Sequence, residues 1–317
     1  MQPPSTPITY RSYAKINLYL DVLNRRRDGY HNIETIFQTV SLCDELTFQE
    51  QPSRIDLTCS TPELDTGEGN LVCRAAMVLQ EQTGYVGGAK IHLEKNIPLA
   101  AGLAGGSGNA AATLIALNTL WNLRLPLEPL RGMAIDLGSD VPYCTLGGPA
   151  AATRRGEELT PLRCGRSPAC PQRSAGEDTR TTEGLPPSHW AVLAHPHVAI
   201  SASRTYNHPR LGHNTETPFA GRTPSFRRAL RRFRAGDLAG LVYNRMEEPV
   251  FHDLPHLAEL KARMLDAGCI AAAMSGSGPT LFGVCSSQAA ALRVADQITD
   301  YPTSVVSFVP VGVERVR

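Results

Sequence analysis

The sequence predicts an α+β fold arranged in two lobes. The chain of 317 residues has 42% hydrophobic content, enough to bury a substantial core in two domains or one large domain. Strand-like and helix-like segments occur in both halves, without the regular alternation that marks a doubly wound parallel sheet. A polar stretch from Cys164 to Ser188, poor in apolar residues, separates the halves. We therefore expect an N-terminal lobe over residues 1–163, a flexible insertion over 164–188 and a C-terminal lobe over 189–317.

The first lobe begins with a strand, because Tyr13 to Leu23 alternates between apolar and polar residues. In this pattern Lys15 and Asn17 fall on the same, polar face. A turn at Arg27 to Tyr30 then leads into a second strand, which favours an antiparallel sheet. The other elements predicted here are strands at residues 33–42, 46–49, 55–59 and 89–94 and helices at residues 71–83 and 109–121.

The second half predicts another lobe of mixed elements. Ser275 to Pro279 is a Gly-rich turn between two strand-like segments. The elements predicted in this lobe are strands at residues 190–195, 271–274, 280–285 and 304–311 and helices at residues 226–234, 238–246, 257–267 and 287–299.

Composition argues against several classes of partner. A net charge of +1 gives no electrostatic reason to expect nucleic acid or a membrane as the main partner. The eight cysteines match neither a disulfide framework nor a zinc site, which favours a reducing compartment. No apolar run approaches the length of a membrane helix, and the segment before Tyr13 is too short and Pro-rich for a signal peptide. We expect a cytoplasmic protein.

The most informative segment is the Gly-rich run Pro98 to Ala112, which leads into an Ala-rich helix. Glycines let backbone N–H groups approach a polyphosphate closely, and the N-terminus of the helix favours negative charge. This pattern predicts a bound nucleotide. The candidate contacts are Pro98, Ala100, Ala101, Gly102, Leu103, Ala104, Gly105, Gly106, Ser107, Gly108 and Asn109.

Other interpretations of this run are weaker. A Walker loop needs Lys and then Ser or Thr after its last Gly, whereas Gly108 is followed by Asn109. A dinucleotide-binding fingerprint should follow a strand directly and have an acid about 20 residues later to hold a ribose. Here Ala100 to Gly105 intervene after the strand, and the nearest later acid, Glu128, stands in a Pro-flanked loop. A flexible surface turn before a packing helix and a non-Walker kinase loop both remain open on this run alone.

Four segments in chain order resemble the galactokinase, homoserine kinase, mevalonate kinase and phosphomevalonate kinase superfamily. They are the segment around Lys15, the Gly-rich run, the segment around Asp140, and Ser275 to Pro279. Within that superfamily, the chain resembles the family of 4-diphosphocytidyl-2-C-methylerythritol kinases. The residues that carry this resemblance are Ala14 to Leu18, Arg26 to His31, Gly138 to Pro142 and Arg155 to Glu157.

The resemblance implies a fold and a reaction. The N-terminal lobe would resemble ribosomal protein S5 domain 2, the C-terminal lobe would be ferredoxin-like, and the active site would lie between them. ATP, with Mg²⁺, would phosphorylate the 2-hydroxyl of the small-molecule substrate 4-diphosphocytidyl-2-C-methylerythritol in non-mevalonate isoprenoid biosynthesis. A monomer or weak homodimer with no dedicated metal site is expected.

Two charged residues fill the catalytic roles that this chemistry needs. A carboxylate must receive the proton of the attacking alcohol, and a cation must gather charge near the transferred group. By position, Asp140 and Lys15 fill these roles. Alone, Asp140 could instead be a helix N-cap before Pro142, and Lys15 could be a solvated strand lysine.

The resemblance also assigns binding residues. Asn17, Tyr30, His31 and Tyr206 would hold the substrate. Tyr30, paired with Tyr206, would read the face of the pyrimidine by stacking, and His31 would read its edge. The adenine-pocket positions are Asn70, Leu71 and Lys95, although Asn70 could as easily cap the helix that begins at Leu71.

The two Gly-rich segments receive separate roles. The superfamily form GLGGGSS is altered here at Ala104, which is tolerable if its φ angle is negative, and at Gly108. Ser107 is then the better side-chain contact to phosphate or Mg²⁺. The second segment would support the first from the other lobe through Ser275, Gly276, Ser277 and Gly278.

Other functions are also compatible with parts of the sequence. A sibling kinase acting on mevalonate or homoserine would keep the Gly-rich run but should lack Tyr30, His31 and the second aromatic. A non-catalytic nucleotide-binding regulator would be expected to lose Lys15 or Asp140. An Arg-rich helix at residues 226–234 raises RNA binding as a further alternative, although a solvated helix face explains it as well.

Overall fold

The computed structural model describes residues 6–162 and 189–316. The insertion expected at residues 164–188 lies outside this range. The described strands are β1 (Ile8–Arg25), β2 (His31–Gln51), β3 (Ile55–Cys59), β4 (Gly88–Glu94), β5 (Ala150–Thr153), β6 (Glu158–Pro161), β7 (Trp190–Ala194), β8 (Tyr243–Asn244), β9 (Ala271–Met274), β10 (Leu281–Cys285), β11 (Thr303–Ser307) and β12 (Val313–Arg315). The described helices are α1 (Leu71–Thr83), α2 (Gly105–Leu120), α3 (Leu127–Leu137), α4 (Val141–Leu146), α5 (Ala202–Tyr206), α6 (Pro224–Ala235), α7 (Leu238–Leu241), α8 (Glu247–Asp253), α9 (Pro255–Asp266) and α10 (Gln288–Gln297).

The strands form two sheets, and the predicted α+β class is confirmed. The larger sheet has the order β12-β1-β2-β4-β3, with β5 beside β2, β6 beside β5, and the short β8 parallel to β1. The smaller sheet has the order β11-β7-β10-β9 with antiparallel pairs. Helices α1 to α4 pack with the larger sheet around one hydrophobic core, and α9 and α10 pack with the smaller sheet around another.

The predicted elements differ from the structure in several places. Residues 33–42 and 46–49, predicted as separate strands, belong to the single strand β2, because the polar residues between them are paired rather than in a turn. In particular, Asp44 is fully buried and lies opposite Ser12 in β1. The helix predicted over residues 238–246 is instead α7, β8 and the residues that lead to the N-cap of α8, Met246. Here the chain leaves the helix because Asn244 pairs with Leu20 in β1.

Helix α2 is buried along most of its length, which fixes the position of the Gly-rich run at its start. Its alanines, Ala110 to Ala112 and Ala116, are fully buried together with Leu114 and Leu117. Small side chains allow a helix to approach a sheet closely, and the first turn of α2 lies directly against β1. None of the helices in the described parts of the chain is both long and apolar enough to span a bilayer.

Candidate active site

The Gly-rich run forms a loop and the first turn of α2. The helix begins at Gly105, four residues before its predicted start at Asn109, so Gly105 to Gly108 are helical. The first N–H groups of an α-helix have no intrahelical acceptor, and the N-cap Ala104 makes no side-chain hydrogen bond. This end of α2 therefore presents free backbone donors. The condition under which Ala104 is tolerable, a negative φ, is not met, because its φ is 57° and the residue is left-handed.

The second Gly-rich segment contacts the first directly. The hydroxyl group of Ser275 donates to the carbonyl oxygen of Gly102 at 2.9 Å. Gly102 has a φ of 73°, and a Cβ atom there would lie 2.2 Å from the carbonyl oxygen of Ser275. Both its conformation and this close approach require glycine.

Lys15 is buried at the junction of these two segments, and its side chain is only 5% exposed. Its ammonium group donates to the Asn17 side-chain oxygen at 2.8 Å and to the Gly102 carbonyl oxygen at 3.0 Å. Its third neighbour is the carboxylate of Asp140, at 3.6 Å. The alternative of a solvated strand lysine therefore does not describe Lys15.

The strand carrying Lys15 is irregular at this point. The pairing of β1 with β2 shifts register between Tyr13 and Lys15 and again between Asn17 and Tyr19. Such bulges re-aim side chains, and they are frequent near functional sites. The Asn17 amide also donates to the hydroxyl of Thr35 at 2.9 Å, which locks the orientation of the oxygen that receives Lys15.

Asp140 occupies the N-cap position of α4 without capping it. Its side chain makes no capping hydrogen bond, its backbone is already helical, and Pro142 lies in the first turn. The carboxylate is 34% exposed and points to Lys15. It is therefore available to a ligand as an acceptor.

Two cavities meet at the start of α2. A cavity of about 730 Å³ contains Lys15 and Asp140, and a second of about 440 Å³ lies along the Gly-rich run. Both are lined by Gly102, Ala104 and Ser107. A group bound at these three residues can therefore be reached from either cavity. After the ligands that the sequence predicts for their residues, we call the larger one the acceptor cavity and the smaller one the nucleotide cavity.

The nucleotide cavity brings together almost all residues predicted to bind ATP. Gly108 is the exception, since it faces Ser12 in β1. Asn70 lines the cavity and also caps α1, accepting from Val72 N at 2.9 Å, so both of its expected roles are compatible. The predicted residues that line it are Asn70, Leu71, Lys95, Pro98, Ala100, Ala101, Gly102, Leu103, Ala104, Gly105, Gly106, Ser107 and Asn109.

Lys95 lines the nucleotide cavity and forms a buried ion pair. Its ammonium group lies 2.8 Å from the carboxylate of Asp44, and both side chains are almost fully buried. Asp44 also accepts from the backbone N–H groups of Asn96 and Ile97, at 2.8 Å each. The same carboxylate thus fixes Lys95 and the backbone that enters the Gly-rich run.

The acceptor cavity contains Asn17, Tyr30, His31 and Tyr206, and two of these side chains stack on each other. Tyr206 stacks on His31, with ring centroids 5.2 Å apart, rather than on Tyr30. Tyr30 is 55% exposed and lies beneath the guanidinium group of Arg155, 5.1 Å from the ring centroid. Stacking of Tyr30 and Tyr206 on the face of a pyrimidine stays a prediction.

His31 is held on two sides. Besides Tyr206, the ring of His213 lies 5.4 Å from it. Burial lowers the pKa of His31 below that of an ordinary histidine, with smaller contributions from His213 and Arg25. A neutral imidazole carries one donor and one acceptor, which is the complement needed to read the edge of a pyrimidine.

Four residues of the site have no assigned role in the sequence prediction. Phe37 lies beneath the Lys15 ammonium group, 5.6 Å from its ring centroid. Arg155, His213 and Asp44 complete the contacts described above. Arg155 stands in a segment that resembles the kinase family, which could have identified it, whereas the other three carry no local signal.

Two polar side chains at the start of α2 bear on the expected nucleotide and Mg²⁺. No group of three or more His, Cys, Asp or Glu residues capable of holding a metal occurs among them. The side-chain oxygen of Asn109 is buried and without a hydrogen-bond partner, and Asn109 lines the nucleotide cavity. The hydroxyl of Ser107, which lines both cavities, is a hard oxygen ligand of the kind that Mg²⁺ accepts beside phosphate oxygens and water.

Comparison with known proteins identifies two domains. Residues 70–148 match the GHMP kinases N terminal domain, and residues 220–302 match the GHMP kinases C terminal domain. The first range includes the Gly-rich run and Asp140, while the second includes the segment from Ser275 to Pro279.

Curated relatives match nearly the whole chain. The chain is 40% identical over 304 residues to a 4-diphosphocytidyl-2-C-methyl-D-erythritol kinase of Moorella thermoacetica, covering 95% of this chain and 98% of the relative. It is 38% identical over 311 residues to the kinase of the same name from Synechococcus sp. strain JA-2-3B'a(2-13), covering 95% and 93%.

Solved structures agree with these relatives. A crystal structure of 4-(cytidine 5'-diphospho)-2C-methyl-D-erythritol kinase superposes with a TM-score of 0.73 at 32% identity, covering 95% of this chain and 98% of the other. Homoserine kinase from Cytophaga hutchinsonii superposes with a TM-score of 0.71 at 20% identity, covering 100% and 99%, and so shares the fold.

Proposed function

Because the chain belongs to the 4-diphosphocytidyl-2-C-methyl-D-erythritol kinase family of the GHMP kinases, we propose that its two cavities hold the two substrates of that reaction. The chain is a small-molecule kinase. It transfers a phosphoryl group from ATP to the 2-hydroxyl of 4-diphosphocytidyl-2-C-methyl-D-erythritol, giving the 2-phosphate and ADP in isoprenoid biosynthesis.

One observation carries the assignment of the cavities. Gly102, Ala104 and Ser107 line both of them, and Lys15 and Asp140 lie on the acceptor side. Phosphoryl transfer requires donor and acceptor oxygens to approach in line across one phosphorus atom. A phosphate held at the start of α2 would be open to the acceptor cavity at its far side, which supports ATP in the smaller cavity and the alcohol in the larger.

Lys15 and Asp140 are the proposed catalytic residues. The carboxylate of Asp140 would accept the proton of the 2-hydroxyl as the new bond to phosphorus forms. The ammonium group of Lys15 would stabilise the charge on the transferred group. Its hydrogen bonds with Asn17 and Gly102 already hold the side chain in one conformation, so the group is preorganised for this role. Burial of Lys15 strengthens this electrostatic effect.

The nucleoside ends are assigned by the aromatic and polar residues of each cavity. Tyr206 and His31 would hold the cytidine in the acceptor cavity, with Tyr30 beneath Arg155 at its exposed edge. Asn70, Leu71 and Lys95 would surround the adenine in the nucleotide cavity. The free N–H groups at the start of α2 would bind the phosphates, and Ser275 to Gly278 would support them from behind.

The Mg²⁺ requirement is also a proposal. When bound, Mg²⁺ neutralises charge on the phosphate oxygens. Ser107 is the residue of this chain that we expect to hold it.

The folds of the two lobes, the oligomeric state and the cellular compartment are also proposals. We assign an S5 domain 2-like lobe to the larger sheet, a ferredoxin-like lobe to the smaller sheet, and the active site to the cleft between them. The monomer or weak homodimer is likewise a proposal. The cysteines of the described residues are free thiols, which supports the reducing cytoplasm.

The test is to follow phosphomonoester formation by ³¹P NMR with Mg-ATP and three alcohols in parallel. These are 4-diphosphocytidyl-2-C-methyl-D-erythritol, mevalonate and homoserine, each with wild type and Asp140→Asn. We expect turnover of the cytidylyl substrate alone, reduced about 10²–10⁴-fold by Asp140→Asn. Turnover of another alcohol would remove the cytidine assignment, and turnover of none would favour a nucleotide-binding regulator.

A further inference from the structure

Asn244 lies behind the second Gly-rich segment and is almost fully buried, with 2% of its surface exposed. Its side-chain NH₂ donates to the carbonyl oxygens of Met274 at 2.7 Å and Gly276 at 2.8 Å. Its side-chain oxygen accepts from Met246 N at 2.9 Å. Both donors and the acceptor oxygen of the amide are therefore in use, and asparagine is a residue type that offers this combination.

The two carbonyl groups that Asn244 holds belong to the backbone next to Lys15. Gly276 has a φ of 57°, and a Cβ atom there would lie 3.3 Å from the Lys15 ammonium nitrogen and 3.6 Å from the Asn17 side-chain oxygen. The neighbouring Ser275 hydroxyl donates to the carbonyl oxygen of Gly102 in the Gly-rich run Pro98 to Ala112, which we call the cradle. A shift of this segment would therefore reach both Lys15 and the cradle.

Asn244 is itself fixed to the strand that carries Lys15. Its backbone pairs with Leu20 in β1, and Arg245 N donates to the Leu20 carbonyl oxygen at 2.9 Å. The side chain of Asn244 thus ties the segment after β9 to β1, two parts of the chain that are distant in sequence. Every link is a hydrogen bond between buried or half-buried groups, for which loss of one partner is costly.

We propose that Asn244 is a positioning residue for phosphoryl transfer, holding Ser275 to Pro279 against Lys15 and the cradle. The proposal rests on the proposed function. Asn244 lines neither cavity and touches no reacting atom, so it acts through Gly276 and Lys15. Misplacement of a catalytic group by about 1 Å can cost about 10²-fold in rate, so a residue of this kind can control kcat from outside the site.

The sharpest variant is Asn244→Asp, which keeps the size of the side chain and the acceptor for Met246 N. It replaces the NH₂ group with an oxygen that faces two carbonyl oxygens, and this repulsion displaces the segment. We expect kcat to fall about 10²-fold with a much smaller change in the KM for ATP. The loss relative to wild type should shrink as the pH falls, because a protonated carboxyl group regains one donor.

Asn118→Asp is the matched control. Asn118 donates to the Leu125 carbonyl oxygen at 3.0 Å and accepts from Leu125 N at 2.9 Å, near the far end of α2. The same isosteric exchange there breaks a similar backbone bridge and should leave kcat unchanged. It therefore separates a general loss of stability from loss of the loop position.

Hydrogen exchange gives a readout that does not depend on turnover. The amides of Ser275 and Gly278 are bonded within the segment, to Thr280 and Ser275, and should exchange faster in Asn244→Asp than in wild type. If Asn244→Asp does not fold, Asn244→Ala, which introduces no charge, should show the same loss of kcat and the same faster exchange.

A folded Asn244 variant whose kcat is within about twofold of wild type would overturn the proposal while leaving the kinase assignment intact. Wild-type protein that phosphorylates none of the three alcohols would instead contradict the proposed function. In that case unchanged exchange at Ser275 and Gly278 in the variant would also overturn the positioning role.

Discussion

The hydroxyl group of Ser12 occupies the space that a side chain on Gly108 would need. A Cβ atom built on Gly108 would lie 2.5 Å from the Ser12 hydroxyl oxygen but 3.9 Å from the Ser12 Cβ. Ser12 is fully buried, and its hydroxyl has no hydrogen-bond partner among the described residues. The glycine at 108, where the superfamily form has Ser, is thus explained by the packing of α2 on β1 rather than by contact with phosphate.

This contact predicts a coupled effect on stability. Gly108→Ala should destabilise the protein by about 1–3 kcal/mol through overpacking, although alanine is the better helix former. Ser12→Ala should be neutral or stabilising, because it removes an unpartnered buried hydroxyl. In the double variant the penalty of Gly108→Ala should largely disappear. Urea unfolding of wild type, the two single variants and the double variant measures the coupling. If Gly108→Ala lowers the free energy of unfolding equally with serine and with alanine at position 12, the contact is unimportant.

The contact between His31 and His213 predicts a pH effect on substrate binding. Because the pKa of His31 is lowered, its neutral form persists below the usual histidine range, and the KM for the cytidylyl substrate should rise only at correspondingly acid pH. His213→Asn removes a like-charged neighbour, which raises the pKa of His31 and moves the rise in KM to higher pH. Tyr206 and Arg25 remain in place. Steady-state measurement of the KM for the cytidylyl substrate between pH 5 and 8 tests this, with His256→Asn, at an exposed position, as the control. Identical profiles of KM against pH for wild type and His213→Asn would refute the prediction.

The ion pair of Asp44 and Lys95 predicts that its effect on protein stability and its effect on ATP binding can be separated by mutation. Asp44→Asn leaves the Lys95 charge buried without its partner and should cost about 3–5 kcal/mol of stability as well as raising the KM for ATP. Asp44→Asn combined with Lys95→Met removes both charges, so stability should recover while the KM for ATP stays high. Chemical unfolding and ATP titration in the kinase assay measure the two effects. A normal KM for ATP in the double variant would mean that Lys95 does not contact the nucleotide.

The parts of the fold that were predictable are those with local signals. Helix α1 has the predicted bounds because Asn70 caps its start and Gly84, in a left-handed conformation, ends it. The start of α2 was placed too late, because Gly and Ser are weak helix formers and only packing against β1 makes Gly105 to Gly108 helical.

The features that were not predictable depend on contacts between distant parts of the chain. Asn244 sits in a two-residue strand because it pairs with Leu20, and nothing in residues 238–246 favours a strand over a continued helix. His213 has no motif of its own and joins the site only because the chain folds back against His31. Lys15 and Asp140 were identified through resemblance, since a strand lysine and an aspartate before Pro carry little information alone.

His195 predicts acid sensitivity of the fold. It lies at the end of β7, is 8% exposed, and its ring nitrogens contact the hydroxyls of Thr280 at 3.3 Å and Ser304 at 3.2 Å. Burial lowers the pKa of His195 to about 4, with a smaller contribution from His197. The unfolded chain takes up this proton near pH 6.5 and the folded chain only near pH 4, so the contribution of neutral His195 is complete above pH 6.5 and is lost as the pH falls towards 4.

We therefore expect the unfolding free energy of wild type to fall by about 2 kcal/mol between pH 8 and pH 5 through this residue. His195→Asn keeps a hydrogen-bonding side chain that does not titrate, so the fall should be smaller by about that amount even if the variant is less stable at pH 8. Urea unfolding at both pH values provides the comparison, and the exposed His256→Asn should behave as wild type. Thr280 directly follows the segment that supports Lys15, so protonation of His195 would loosen the fold next to the active site. If the unfolding free energy depends on pH equally in wild type and in His195→Asn, the acid-sensitive group lies elsewhere.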